Sequence, residues 1–309
     1  MGGLLNYVVR RVLISIPTFF GVSLLVFMMV RLLPGDPARV IAGLLASEEE
    51  VQRIRAFLGL DKPIHEQYIV FLSNLIRGDL GTSARTGSPV IVEIASRLPY
   101  TFALTLAAMA IAITVGVLVG VFSARHRYTR ADYAITTASL FGVSMPVYWL
   151  GIILILVFAV NLRLLPAAGA ERPESVVLPA LTLALFSSAL IVRMTRSSMI
   201  EALSQDYVRT ARSKGLEERT VVYKHALRNA LIPVVTVVGL QFGNLLGGAV
   251  LTETVFAWPG IGRLLYESMM ARDYPVIQGV VLMTAVIFIV INIVVDVIYS
   301  YLDPRIRYD

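Results

Sequence analysis

The chain has 309 residues, of which 57% are hydrophobic and 16% charged, with a formal net charge of +6 and a mean hydropathy of +0.75. About a quarter of a soluble domain is charged, so this balance is that of a membrane protein. With no cysteine in the chain, disulfides, thiolate chemistry and Cys-held zinc are excluded. The three histidines (His65, His126 and His225) show no metal-site spacing, and a positive balance in so apolar a chain belongs to loops beside a membrane, not to nucleic-acid binding.

Six stretches approach the roughly 20 apolar residues that cross a hydrocarbon core. They fall at about 10–33, 101–124, 133–160, 176–192, 231–252 and 276–302. The first is long and lacks a small-residue cleavage site, so it reads as a retained anchor and not as a signal peptide. The segment that follows, 34–100, is too long for a turn. Within it, SEEEVQRIRAFLGL (47–60) opens on a serine cap and acids in the first turn, and KPIHEQYIVFLSNLIRGDLG (62–81) places Ile69, Leu72 and Ile76 on one helical face. Two helices forming a small cap are predicted there. PVIVEIASRLP (89–99) reads as an amphipathic lead-in lying at the membrane interface.

Met145-Pro146 interrupts the third span, because proline removes a backbone donor and kinks a helix. At the inner end of the fourth span, Arg193 and Arg196 are expected to snorkel. In the fifth, Gln241 and Asn244 are three apart and share a face, beside Gly243, Gly247 and Gly248, which allow close helix approach. Two readings stand for that polar pair, a translocation path and a structural hydrogen bond between helices. Glu253 lies at the outer edge of this span, a candidate substrate contact, and WPGIGRLL (258–265) follows as a turn into a short amphipathic helix. In the sixth span Asp296 is expected to pair with an arginine or a helix end.

Lysine and arginine divide 15 to 12 between alternate sides, whereas acids divide 7 to 13 the other way, with Asp296 left inside a span. The basic side is therefore expected to be cytoplasmic, with both termini inside and 34–100 outside. The expected divisions are 1–33 (N-terminus and first span), 34–100 (extracytoplasmic helical segment and lead-in) and 101–309 (core with spans 2–6), with a cytoplasmic loop at 193–230.

That loop, which contains DYVRTARSKGLEERTVVYKHALRNALIP, is unusually orderly for a basic connector. Tyr207, Ala211 and Gly215 are four residues apart and share a nearly bulkless helical face, flanked by Arg209 and Arg212. A mid-helix glycine costs about 1 kcal/mol relative to alanine, so Gly215 points to a turn between two helices.

DYVRTARSKG followed by HALRNALIPVVT resembles the cytoplasmic signature loop of ATP-binding-cassette importer permeases, in the branch that carries dipeptides, oligopeptides, glutathione and nickel. The family pattern is Glu-Ala-Ala, three residues, then Gly; here Arg209, Thr210, Ala211 and Gly215 hold those places, and the missing glutamate departs from the general pattern. LLPGDPARVIAG (32–43), FAWPGIGRLL (256–265), RDYPVIQG (272–279) and DPRIRY (303–308) agree in order, so the resemblance covers essentially the whole chain.

The resemblance implies an all-α, polytopic bundle of six transmembrane helices with the type I importer permease fold, a multi-pass protein of the bacterial inner membrane. It implies partners too: a second, related permease subunit, two ATPase subunits or domains, an extracytoplasmic substrate-binding protein and membrane lipids. Tyr207, Arg209, Thr210, Ala211, Arg212, Lys214 and Gly215 would form the coupling helix that sits in a groove of an ATPase. ATP and magnesium belong to those partners. This chain has no Gly-Lys pair, hence no phosphate loop, and neither a nucleophile–base set nor a metal set, so it is read as a transport subunit and not an enzyme. A nickel-type importer permease and an ion-coupled secondary transporter remain as alternatives; the second wants mid-membrane ionisable groups, and Asp296 is the only acid inside a span.

Overall fold

The structure, a computed structural model, describes residues 2–32, 37–43, 46–57 and 59–302; parts of LLPGDPARVIAG and all of DPRIRY lie outside them. In chain order the helices are α1 (Gly2–Leu32), α2 (Pro37–Ala42), α3 (Glu48–Phe57), α4 (Ile64–Ile76), α5 (Val90–Arg125), α6 (Arg130–Ser144) and α7 (Val147–Leu154). After α7 the chain widens into π turns over Ile155–Asn161. Then come α8 (Val177–Ser204), α9 (Asp206–Ser213), α10 (Glu218–Thr220), α11 (Leu227–Gly248), α12 (Val250–Val255), α13 (Ile261–Ala271) and α14 (Tyr274–Leu302). Among the described residues, five stretches are long and apolar enough to cross a membrane, namely Val9–Arg31, Val90–Arg125, Pro173–Ser204, Glu218–Leu246 and Tyr274–Ile298. The pair α6–α7 makes a sixth if it is taken as one span.

That pair is bent by 103°, more than the kink expected from one proline. The ring of Pro146 disfavours helical backbone at the residue before it, and Met145 is extended (φ −74°, ψ 133°). α6 therefore stops and α7 restarts at Val147 in a new direction.

The lead-in at 89–99 is not a separate helix. It is the first third of α5, one helix of 36 residues that runs through Pro99. Val90 and Ile94 are fully buried against Ile261, Leu264, Val276 and Val280. Burying two such side chains is worth about 1.5–3 kcal/mol each, enough to offset the roughly 3 kcal/mol cost of an interior proline.

The centre of the bundle is α5 against α8. A β-carbon on Gly116 would stand 2.5 Å from Ile191, and one on Gly120 would stand 2.6 Å from Thr195. Only glycine lets the backbone of α5 come this close. α11 repeats the device on α14, where Gly239 accommodates Val295 and Gly243 lies against Phe288; the surroundings of Gly247 and Gly248 lie outside the description. Asp296 pairs with Arg11 at 3.1 Å, joining α14 to α1.

The two cap helices form as expected, with Ser47 accepting from the Glu50 N–H at 3.2 Å. The face that α4 turns inward is aromatic, however. Phe27 of α1 packs on Tyr68 and Phe71 (centroids 5.1 and 5.5 Å apart), and the Tyr68 hydroxyl lies 2.9 Å from that of Ser23. Ile69 and Ile76 are left exposed.

Candidate coupling surface and membrane cleft

α9 has two apolar positions, Val208 and Ala211, three residues apart and hence on one side. Both are buried, in a cluster with Val121, Met199, Val221 and Val222. This inward anchor turns the polar side of the helix out. Tyr207, Arg209, Thr210, Arg212 and Lys214 are exposed. The small-faced stripe expected through Tyr207, Ala211 and Gly215 is thus divided, with Tyr207 outward and Ala211 inward.

Gly215 lies beyond the helix, at φ +74°. Its N–H donates to the Arg212 carbonyl (2.9 Å) and the Leu216 N–H to that of Ala211 (3.4 Å). These two bonds are the Schellman stop, whose left-handed position favours glycine. Among the described residues, chain neighbours aside, no atom lies within 4 Å of where its β-carbon would stand, so the backbone conformation and not crowding demands glycine there. Arg212 holds Glu218 at 2.8 and 3.1 Å, which pins the turn between α9 and α10. The Arg209–Asp206 pair is almost fully exposed and contributes little.

Beside α9 is a carboxylate that sequence reading passed over. Asp132, 1% exposed, accepts from Arg196 Nε and Nη2 (2.6 and 2.7 Å), from the Ser123 hydroxyl (2.5 Å) and from the Tyr128 N–H (2.9 Å). Arg196 therefore does not snorkel; it clamps α6 to α8. The available sequence signal was an acid at the third position of a helix capped by Thr129, in an otherwise basic loop.

Toward the middle of the bundle, α6, α8 and α11 enclose a cleft of about 630 Å³. Gln241 and Asn244 line it together, with Asn244 Nδ2 donating to Gln241 Oε1 at 3.4 Å. Thr136, Ser139, Arg193, Arg196 and Ser197 add polar groups. Glu253 does not line this cleft. It is fully buried in α12, just beyond α11, where its carboxylate accepts from the Thr101 hydroxyl (2.7 Å) and the Arg263 N–H (3.0 Å). The Thr101 oxygen accepts in turn from the Ile261 N–H (2.9 Å), so Glu253 and Thr101 together cap α13, whose first amides have no partner within the helix. Burial pushes the Glu253 carboxyl up, while the bonds from Thr101, Arg263 and Gly262 pull the other way.

A second carboxylate fastens the segment that precedes α5. Asp273 accepts from the Ser83 hydroxyl (2.5 Å) and from the Ala84 and Arg85 N–H groups (3.1 and 3.3 Å). Among the described residues no group of three His, Asp or Glu is placed to hold a metal ion.

Comparison with known proteins matches these features. The family described as binding-protein-dependent transport system inner membrane component matches residues 116–308, and its N-terminal companion, described as a binding-protein-dependent transport system membrane component, matches residues 4–105. The chain is 49% identical over 305 residues to the glutathione transport system permease protein GsiC of Escherichia coli, covering 99% of this chain and 100% of that one. It is 48% identical, with the same coverage, to GsiC of Shigella dysenteriae. The fold is also that of a chain in the inward-facing MetNI methionine ABC transporter, at a TM-score of 0.60 and 18% identity, covering 69% of this chain and 97% of that one. The chain belongs to the binding-protein-dependent transport system inner membrane component family, and it is a permease subunit of an ATP-binding-cassette importer.

Proposed function

We propose that this permease moves glutathione or short peptides across the bacterial inner membrane, driven by ATPases that grip α9. The carrying observation is the mounting of that helix: Val208 and Ala211 are locked into the bundle while Tyr207, Arg209, Thr210, Arg212 and Lys214 face away from it. A helix held this way passes a push on its outer side to α8 and, through Val221 and Val222, to the start of α11. Gly215 shapes the turn that ends it. When two ATPases close on ATP, the coupling helices draw together and the bundle rocks between inward- and outward-open states, the rigid-body form of alternating access.

A second permease subunit completes the path, and an external binding protein delivers the cargo. Gln241 and Asn244 line this chain's share of the path, and Glu253 holds its outer end in shape. Residues 34–100 form the extracytoplasmic segment, residues 101–309 the transport core, and both termini are cytoplasmic. The near-complete relationship to glutathione permeases supports the cargo class.

Reconstituted with its partner permease, ATPases and binding protein in proteoliposomes, the complex is expected to accumulate glutathione or dipeptides only with ATP. Accumulation of neither would refute the reading. Because the chain has no cysteine, Lys214→Cys and Arg77→Cys test orientation directly: a membrane-impermeant thiol reagent added to intact cells should label only the second.

A further inference from the structure

The cleft contains a charge that no described residue answers. Leu190, Arg193, Met194 and Ser197 of α8 and Val237, Leu240, Gln241 and Asn244 of α11 line it, each set at helical spacing i, i+3, i+4, i+7, so the two helices present matching stripes to one space. Arg196 in that lining is neutralised by Asp132. Arg193, about one turn earlier in α8, makes no hydrogen bond or ion pair among the described residues, and no described acid lines the cleft. Across from it Gln241 is only 5% exposed; its Oε1 accepts from Asn244, but its Nε2 donor has no acceptor. Arg193 is exposed, so its guanidinium is open to whatever enters the cleft, and a buried amide donor left without an acceptor calls for a partner.

We propose that Arg193 binds the carboxylate of the peptide cargo as it passes through the cleft, with the Gln241 amide donating to a neighbouring carbonyl. This rests on the transport reading above. A guanidinium pairs with a carboxylate through two parallel, charge-assisted hydrogen bonds, and a peptide supplies a terminal carboxylate and amide carbonyls side by side. The same chemistry disfavours a bare metal cation as cargo, because the cleft offers it a positive charge and no acid.

The test uses the assembled transporter in proteoliposomes with radiolabelled glutathione as the probe. Arg193→Gln is expected to lower uptake on the order of tenfold, the worth of one charge-assisted pair, and Arg193→Lys to stay within about threefold of wild type, both with normal co-purification of the partner subunits. Three results overturn the proposal. Uptake by Arg193→Gln at the wild-type rate means that the guanidinium meets only lipid phosphate. Equal losses in Arg193→Lys and Arg193→Gln mean that shape and not charge matters. Loss of subunits from the Arg193→Gln complex means that Arg193 pairs with an acid of the neighbouring permease. If the wild-type complex itself takes up no peptide, the transport reading fails and this proposal falls with it. An active wild type beside an unimpaired variant defeats this proposal alone.

Discussion

Arg196 reaches from α8 to Asp132 at the start of α6 and closes two hydrogen bonds on it, at 2.6 and 2.7 Å. Asp132 is almost wholly enclosed, whereas the Arg196 side chain is 26% exposed. Breaking a fully buried pair costs about 3–5 kcal/mol, and partial hydration of the arginine moderates that. Asp132→Asn is therefore expected to destabilise the protein by about 2–3 kcal/mol, seen as a lower midpoint of thermal unfolding in detergent. Arg196→Lys, which cannot span both oxygens, should fall between that variant and wild type. Unchanged midpoints would show that the clamp is idle.

The α5–α8 contact makes a reciprocal prediction. Gly120→Ala puts a carbon 2.6 Å from the Thr195 β-carbon, an overpacking worth about 1–3 kcal/mol. Thr195→Gly removes that neighbour. The double variant should recover most of the loss in a thermal assay; independent, additive losses would argue against direct contact.

Glu253 gives a pH dependence whose sign follows from its surroundings. Its folded pKa is raised above the ordinary 4.5, chiefly by burial. The folded state thus holds the proton more tightly, and the stabilisation present below the unfolded pKa is lost as pH rises through the raised value. Glu253→Gln should flatten this decline in a series of melts from about pH 4.5 upward. It should also lower stability throughout by about 1–3 kcal/mol, because Thr101 and the Arg263 N–H donate to different carboxylate oxygens, and in glutamine one of these is an NH2 that faces a donor. A slope identical to wild type would place the titration elsewhere.

At Gly215 two substitutions separate backbone strain from docking. Asparagine tolerates φ +74° better than other non-glycine residues, and the surrounding space is open within the chain. Gly215→Asn should keep the turn and normal membrane levels, whereas Gly215→Val, a β-branched residue in a left-handed position, should disturb both. Reduced uptake by Gly215→Asn at wild-type protein levels would mark this corner as covered by an ATPase; wild-type uptake would place it outside that contact.

The apolar runs and the cap helices could be read from the chain because composition, capping and spacing are local signals. Asp296 with Arg11 was anticipated in kind, since an acid inside an apolar run demands a partner. What escaped were relationships set by folding at long range. Asp132 meets Arg196 across 64 positions, and Ser83 meets Asp273 across 190; the place of Asp132 in a capped first turn marks a helix start, but nothing local names either acid's partner. The facing of α9 was misjudged for a related reason. The expected stripe was chosen for small size, yet Val208 and Ala211 are the residues that gain from burial, and they fix which side turns inward. The break at Met145-Pro146 was visible as a position, but its angle depends on where Gly151 comes to rest, against Phe256 and Thr182.

The seam at Gly116 and Gly120 carries a mechanical consequence. Side chains of one rod are sunk into the bare spine of the other, so neither can roll or slip without prising both open. Any stroke must leave this unit intact and swing lighter pieces around it, much as a door turns on a fixed post.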